Sequence, residues 1–126
     1  MLDFKNGSFV KLKDVGAQVY SKDIQPLLVD GEHVIAGFKA IRDSVVFTNK
    51  RIIAINVQGI TGSKADYTSL PYSKIQAYSV ETASVWEMVP DAEMELWFSG
   101  LGKVRFEFNK GADIIALSKV ISQYVL

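Results

Sequence analysis

The segment from Val45 to Gly62, VVFTNKRIIAINVQGITG, constrains this chain more than any other. It reads as two strands joined at Thr48-Asn49-Lys50-Arg51 and stopped by a second turn at Gln58-Gly59. Its apolar residues are β-branched or aromatic, and its turn residues fall where a hairpin needs them. The segment predicts an antiparallel all-β unit and carries no catalytic constellation.

The flanking sequence extends the pattern. Strands are predicted over Glu32–Ile41, Ser44–Thr48, Arg51–Val57, Lys64–Leu70, Ser73–Thr82, Ala92–Phe98 and Lys103–Phe108. In the last two, Ala92, Met94, Leu96 and Phe98, then Val104, Phe106 and Phe108, alternate inward. Glu93 and Glu95 are expected to face Lys103 and Arg105 across that hairpin. Such pairs contribute roughly 0.2–1 kcal/mol each. A one-residue slip would expose Phe106 and Phe108, so register is well specified. An amphipathic helix over about Ala112–Val125 closes the chain, with Ile114, Leu117, Ile121, Tyr124 and Val125 on one stripe and Lys119 and Ser122 facing out.

The N-terminal part reads differently. Residues 1 to 14 look like a polar, partly helical arm. Val15, Val19, Tyr20, Ile24, Leu27 and Leu28 recur at helical spacing, with Pro26 dividing the segment into short helices or a kinked one. Residues 1–30 are therefore expected as an arm with short helices packed on residues 31–126. Together they form one structural domain of mainly β class: a seven-stranded bent sandwich or partly open barrel capped by the C-terminal helix.

Composition removes several functions. The 126 residues contain no cysteine and one histidine, His33, so thiolate chemistry and Cys- or His-rich metal sites are excluded. The formal charge of +0 lacks the basic field of a general nucleic-acid binder. There is no signal-type apolar region and no run long enough to span a membrane. The expectation is a soluble, cytoplasmic protein without cofactor.

Several blocks together carry a family resemblance: Arg42-Asp43, Val46-Phe47-Thr48-Asn49-Lys50-Arg51, Gln58-Gly59-Ile60-Thr61-Gly62-Ser63-Lys64, Ser69-Leu70-Pro71-Tyr72-Ser73-Lys74-Ile75, Glu81-Thr82-Ala83, Ala92-Glu93-Met94-Glu95-Leu96-Trp97 and Tyr124-Val125-Leu126. The chain resembles the bacterial pleckstrin-homology (PH-like) domain family, small single-domain proteins formerly of unknown function. The resemblance spans about Asp30 to Leu126. It implies a seven-stranded PH-like barrel with a C-terminal helix, helical N-terminal residues and homo-oligomers, rings among the candidate forms, with no known catalysis. The sequence departs from the family after Glu81-Thr82-Ala83. There Ser84-Val85-Trp86-Glu87-Met88-Val89 replaces the usual glycine and acidic residue, so the usual loop's role does not carry over. The dense basic motif of phosphoinositide-binding relatives is also missing; Lys39 and Arg42 are followed at once by Asp43.

Two sets of candidate residues follow. The first is a protein interface: the apolar loop residues Trp86, Met88 and Val89, the outward Trp97, and Lys50-Arg51 in the hairpin turn. Its plain alternative is that Trp86 belongs to the core and that Lys50 and Arg51 are edge charges guarding a sheet. The second is an anion or lipid site at the barrel mouth, built from Lys39, Arg42, Lys64 and Lys103. Its plain alternative is ordinary solvated loop charge. Enzymatic readings fail on chemistry: His33 has no surrounding motif, and Gly59-Ile60-Thr61-Gly62 lacks the strand-to-helix setting of a phosphate loop. The expected function is a self-associating, protein-binding scaffold module, with anionic membrane binding as the alternative.

Overall fold

The computed structural model describes residues 1–4, 7–82, 92–109 and 111–126. Its strands are β1 (Gly7–Asp14), β2 (Val34–Lys39), β3 (Ser44–Thr48), β4 (Arg51–Gln58), β5 (Lys64–Pro71), β6 (Ile75–Glu81), β7 (Ala92–Phe98) and β8 (Gly102–Phe108). They make one sheet in the order β5-β4-β3-β2-β1-β8-β7-β6, curled into a half-barrel. A short helical segment runs from Ala17 to Leu27, with α1 (Ser21–Ile24) between two 3-10 turns. The C-terminal helix α2 (Ile114–Val125) caps the barrel.

The first strand corrects the expected partly helical arm over residues 1 to 14. β1 lies in the middle of the sheet, so the described residues form eight strands where seven are expected. Gly7, Ser8 and Phe9 pair in parallel with Val104, Arg105 and Phe106 of β8. Further along, Lys13 and Asp14 pair antiparallel with Lys39 and Phe38 of β2. Between them the register shifts, and Lys11 adopts a φ of 57°. This irregularity carries the strand from one half of the sheet to the other. It also explains the misreading. Phe9 and Leu12 are both buried, and a spacing of three imitates a helix because the bulge breaks the two-residue period.

The barrel interior is filled from both halves. Phe38, Val45, Phe47, Ile52, Ala54 and Leu70 meet Met94, Leu96, Phe98, Val104, Phe106 and Phe108, with Ile114, Leu117 and Ile121 of α2 closing over them. The Phe38 and Phe108 rings meet edge to face at 4.9 Å. Asp113 caps α2 by accepting from the Ala116 N–H at 3.1 Å, which fixes the helix start at Ile114. Ser122, expected to face out, is half-buried and shares a 2.6 Å hydrogen bond with the Tyr78 hydroxyl.

A second, smaller core lies outside the barrel. Tyr20 and Ile24 of the helical segment cover Val46, Ile53 and Ile55 on the outer face of β3 and β4. Every residue of β3 is therefore buried, which is why Val45-Val46-Phe47 reads as a continuous apolar run. A bulge between Val34 and Ala36 sends Val34 to this outer core while Ala36 packs on the inner one. Gly37 allows the helical segment to lie this close: a Cβ there would stand 2.8 Å from both the Gly16 carbonyl oxygen and the Tyr20 ring. The Tyr20 hydroxyl is satisfied by Ser44 Oγ at 2.7 Å.

Residues 1–4 cross between the two ends of the sheet. The Leu2 N–H donates to Thr68 Oγ1 of β5 at 3.0 Å and its side chain joins the main core. Phe4 packs edge to face on Phe98 of β7.

Candidate functional site

The Thr-Asn-Lys-Arg turn between β3 and β4 gathers the densest polar network in the described residues. Thr48 Oγ1 accepts from the backbone N–H groups of Lys50 and Arg51, each at 3.0 Å, and donates to Glu32 Oε2 at 2.7 Å. Asn49 Oδ1 accepts from the His33 N–H at 2.8 Å, while Asn49 Nδ2 donates to the Gly31 carbonyl at 3.0 Å. Arg51 holds the Glu32 carboxylate with Nε and Nη2, both at 2.9 Å. Its Nη2 also donates to the Leu27 carbonyl at 2.6 Å, and its Nη1 to Ser69 Oγ at 2.9 Å. The Glu32 side chain is fully buried. Burial pushes its carboxyl up, but hydrogen bonds from Arg51, Thr48 and the Val29 N–H outweigh that and hold it below its ordinary range. Beside this network, the buried Tyr72 hydroxyl donates to the Thr48 carbonyl at 2.7 Å, and desolvation pushes that phenol well up.

The geometry gives Arg51 an internal role. Arg51 joins the helical segment, the turn before β2, the β3–β4 hairpin and β5, and its guanidinium is committed to partners within the chain. Lys50 is exposed. Sequence reasoning missed Glu32. No local pattern marks it, because its partners lie sixteen and nineteen positions away, at Thr48 and Arg51.

The exposed face of the β6–β7–β8 half is the candidate interaction surface. Trp97 points outward from β7 as expected and is 47% exposed. It stands opposite Ala77 of β6 and Lys103 of β8. Small residues on β6, Ala77 and Ser79, leave a shallow groove of about 290 Å³ beside it, whose lining includes Glu95 and Lys103. The expected charge pairing on this face is present, but along diagonals. Glu93 stands opposite Glu107 and Glu95 opposite Arg105. Arg105 reaches Glu93 and also Glu107 at 3.3 Å, while Lys103 approaches Glu95 at 3.6 Å.

The loop cations divide between two places. Lys103 lines the Trp97 groove. Arg42 lines a different cleft, of about 340 Å³, between β1 and the β2–β3 turn, together with Lys11, Ile41 and Asp43. Arg42 donates to the Gly59 carbonyl at 2.5 Å, which places it by the turn leading to Lys64 at the start of β5. Lys39 ends β2 opposite Lys13. Ile41, at the tip of the β2–β3 turn, is 89% exposed. Trp86, Met88 and Val89 lie outside the described residues. Among the described residues no group of three or more His, Cys, Asp or Glu side chains could hold a metal, and no helix is long and apolar enough to cross a membrane.

Known proteins match this chain along nearly its whole length. The YjqA protein of Bacillus subtilis (strain 168), itself uncharacterized, is 36% identical over 123 residues, covering 96% of this chain and 97% of its own. A DUF1696 family protein with a pleckstrin-homology domain from Shewanella loihica PV-4 superposes with a TM-score of 0.78 at 37% identity, covering 94% of this chain and 100% of its own. The pleckstrin homology domain from Shewanella amazonensis SB2B gives a TM-score of 0.64 at 38% identity over 96% and 93% of the two chains. Residues 3–125 match the family model described as bacterial PH domain, and the chain belongs to that family.

Proposed function

We propose that this chain is a non-enzymatic PH-like module that self-associates into a homo-oligomer and serves as a protein-binding scaffold, acting in the cytoplasm. One observation carries the reading: Trp97, a large aromatic residue, stands half-exposed on a sheet face beside a groove with small side chains. Aromatic side chains in such settings are enriched in interface centres. Arg51 is held by partners within its own chain, while Lys50 beside it is exposed and remains a candidate contact. A ring requires a head-to-tail interface whose rotation closes. The test is the absolute mass of wild type and Trp97→Ala by light scattering. A multiple of the 14.0 kDa chain that falls on substitution, with the fold retained, supports the reading. A single-chain mass for wild type removes it.

A second reading rests on Ile41. An apolar tip that is largely exposed and flanked by Lys39 and Arg42 suits shallow insertion into an anionic membrane surface. Co-flotation with anionic vesicles that is lost in high salt, and lost in Ile41→Asp, would favour it over self-assembly.

A further inference from the structure

We propose that the cleft between β1 and the β2–β3 turn binds an extended acidic segment of a partner protein, which adds as a strand to the free side of Gly7–Val10. The inference rests on the protein-binding part of the function proposed above and places it on a surface away from Trp97.

The sheet is incomplete where its two halves meet. Gly7, Ser8 and Phe9 have strand partners on β8 alone. Pairing of β1 with β2 starts only at Lys13 and Asp14. Among the described residues, no strand covers the other side of Gly7–Val10. The space left there is the cleft of about 340 Å³, with Ser8, Val10 and Lys11 along one wall and Ile41 and Arg42 along the other. A bare strand edge offers main-chain donors and acceptors to an added strand. The opposite wall is a fixed turn: the Ala40 N–H donates to the Asp43 carbonyl at 2.8 Å, and Arg42 ties the turn to the Gly59 carbonyl. Such a slot admits a single extended chain. The edge of a folded sheet would bring its next strand about 4.8 Å behind the first and meet the turn.

Charge defines the occupant. Lys11 and Arg42 line the cleft, and Lys13 and Lys39 stand opposite each other where it closes. All four are exposed, and none is ion-paired among the described residues. The Lys13–Lys39 pair is a like-charge contact across strands, which is unfavourable without a counter-ion. The two acids next to these cations in sequence are occupied: Asp43 accepts from the Val57 N–H at 3.1 Å and Asp14 from the Gly16 N–H at 2.9 Å. A segment carrying carboxylates supplies what is missing. Val10 and Ile41, 46% and 89% exposed, offer apolar contacts to its alternate side chains. A membrane surface would meet the same cations but would leave the strand edge at Gly7–Val10 unpaired.

The test is titration of a short fluorescein-labelled peptide of alternating valine and glutamate, followed by fluorescence anisotropy, with the valine–lysine peptide beside it. The glutamate peptide should bind roughly tenfold or more tightly than the lysine peptide, and binding should weaken in salt. Arg42→Glu and Lys39→Glu should each weaken it by roughly tenfold. Lys39→Glu also turns the Lys13–Lys39 repulsion into an attraction, so its thermal midpoint should hold or rise while binding falls. A residue that only supports the fold would lose both together. N-methylation of one alternate set of peptide amides should abolish binding, because that set faces β1. Absence of binding to wild type overturns the proposal, as does binding that survives both charge variants or methylation of every amide. Capture by anionic vesicles without peptide binding overturns it too and assigns the cations to a membrane surface. Light scattering on the same samples keeps the two readings apart: failed peptide binding with a mass of several chains leaves self-association standing.

Discussion

Arg51 grips the buried Glu32 carboxylate through two hydrogen bonds of 2.9 Å, and in doing so ties four segments of the chain together. The pair is more than a local turn feature. Glu32 has no solvent to fall back on, and Arg51 also satisfies the Leu27 carbonyl at the end of the helical segment.

Removing one partner strands the other. Arg51→Met should destabilise the fold by about 3–5 kcal/mol, since a buried carboxylate loses its counter-charge. Arg51→Lys should recover only part, because an ammonium cannot bind both carboxylate oxygens and the Leu27 carbonyl in one plane. Urea denaturation of the variants, with the dependence on denaturant unchanged, checks both values.

The same pair fixes an acid response. Glu32 has a carboxyl pKa depressed in the folded state from its ordinary 4.5. Its contribution is complete above the unfolded value and is lost as pH falls through the folded one. Stability should therefore decline below about pH 4.5, and Glu32→Gln should flatten that part of the profile while lowering stability at neutral pH. An equally steep acid limb in Glu32→Gln would assign the response to other carboxylates.

Gly37 is a steric requirement of the outer core. Gly37→Ala places a methyl group 2.8 Å from the Tyr20 ring and the Gly16 carbonyl, so the helical segment must shift. The expected cost is about 1–3 kcal/mol, as for an overpacked core. Protection of the Val15 amide, which donates to the Gly37 carbonyl at 3.0 Å, should fall in hydrogen exchange more than that of the β7 and β8 amides.

Lys11 offers the opposite case. At a φ of 57° it pays a left-handed backbone cost of roughly 1–2 kcal/mol that glycine would not. Lys11→Gly gains that relief but also loosens the unfolded chain, so the thermal midpoint should stay level or rise slightly. A clear fall would mean that the Lys11 side chain itself stabilises the bulge.

Much of this architecture was legible in the sequence. The β7–β8 hairpin alternates cleanly because one of its faces is wet, so Ala92 through Phe98 and Val104 through Phe108 were assigned inward residue by residue. The C-terminal helix and the helical segment before β2 carried their own periodicity. β1 was hidden because its bulge put Phe9 and Leu12 three apart. The meaning of Thr-Asn-Lys-Arg was hidden for another reason. Arg51 looked like a surface charge because its partner Glu32 is distant in sequence and marked by nothing around it. Trp97 was visible as an outward aromatic, but the neighbouring open edge of β6 emerged only from the strand order.

Self-association through the outer sheet face around Trp97 underlies the proposed scaffold role. Its most direct test is the absolute mass of the purified chain in solution, at low and high salt, with co-flotation on anionic vesicles measured alongside. The expected mass is a multiple of 14.0 kDa that survives high salt, with no flotation. A single-chain mass accompanied by salt-sensitive flotation would contradict it and move the binding surface to Ile41 and the cations beside it.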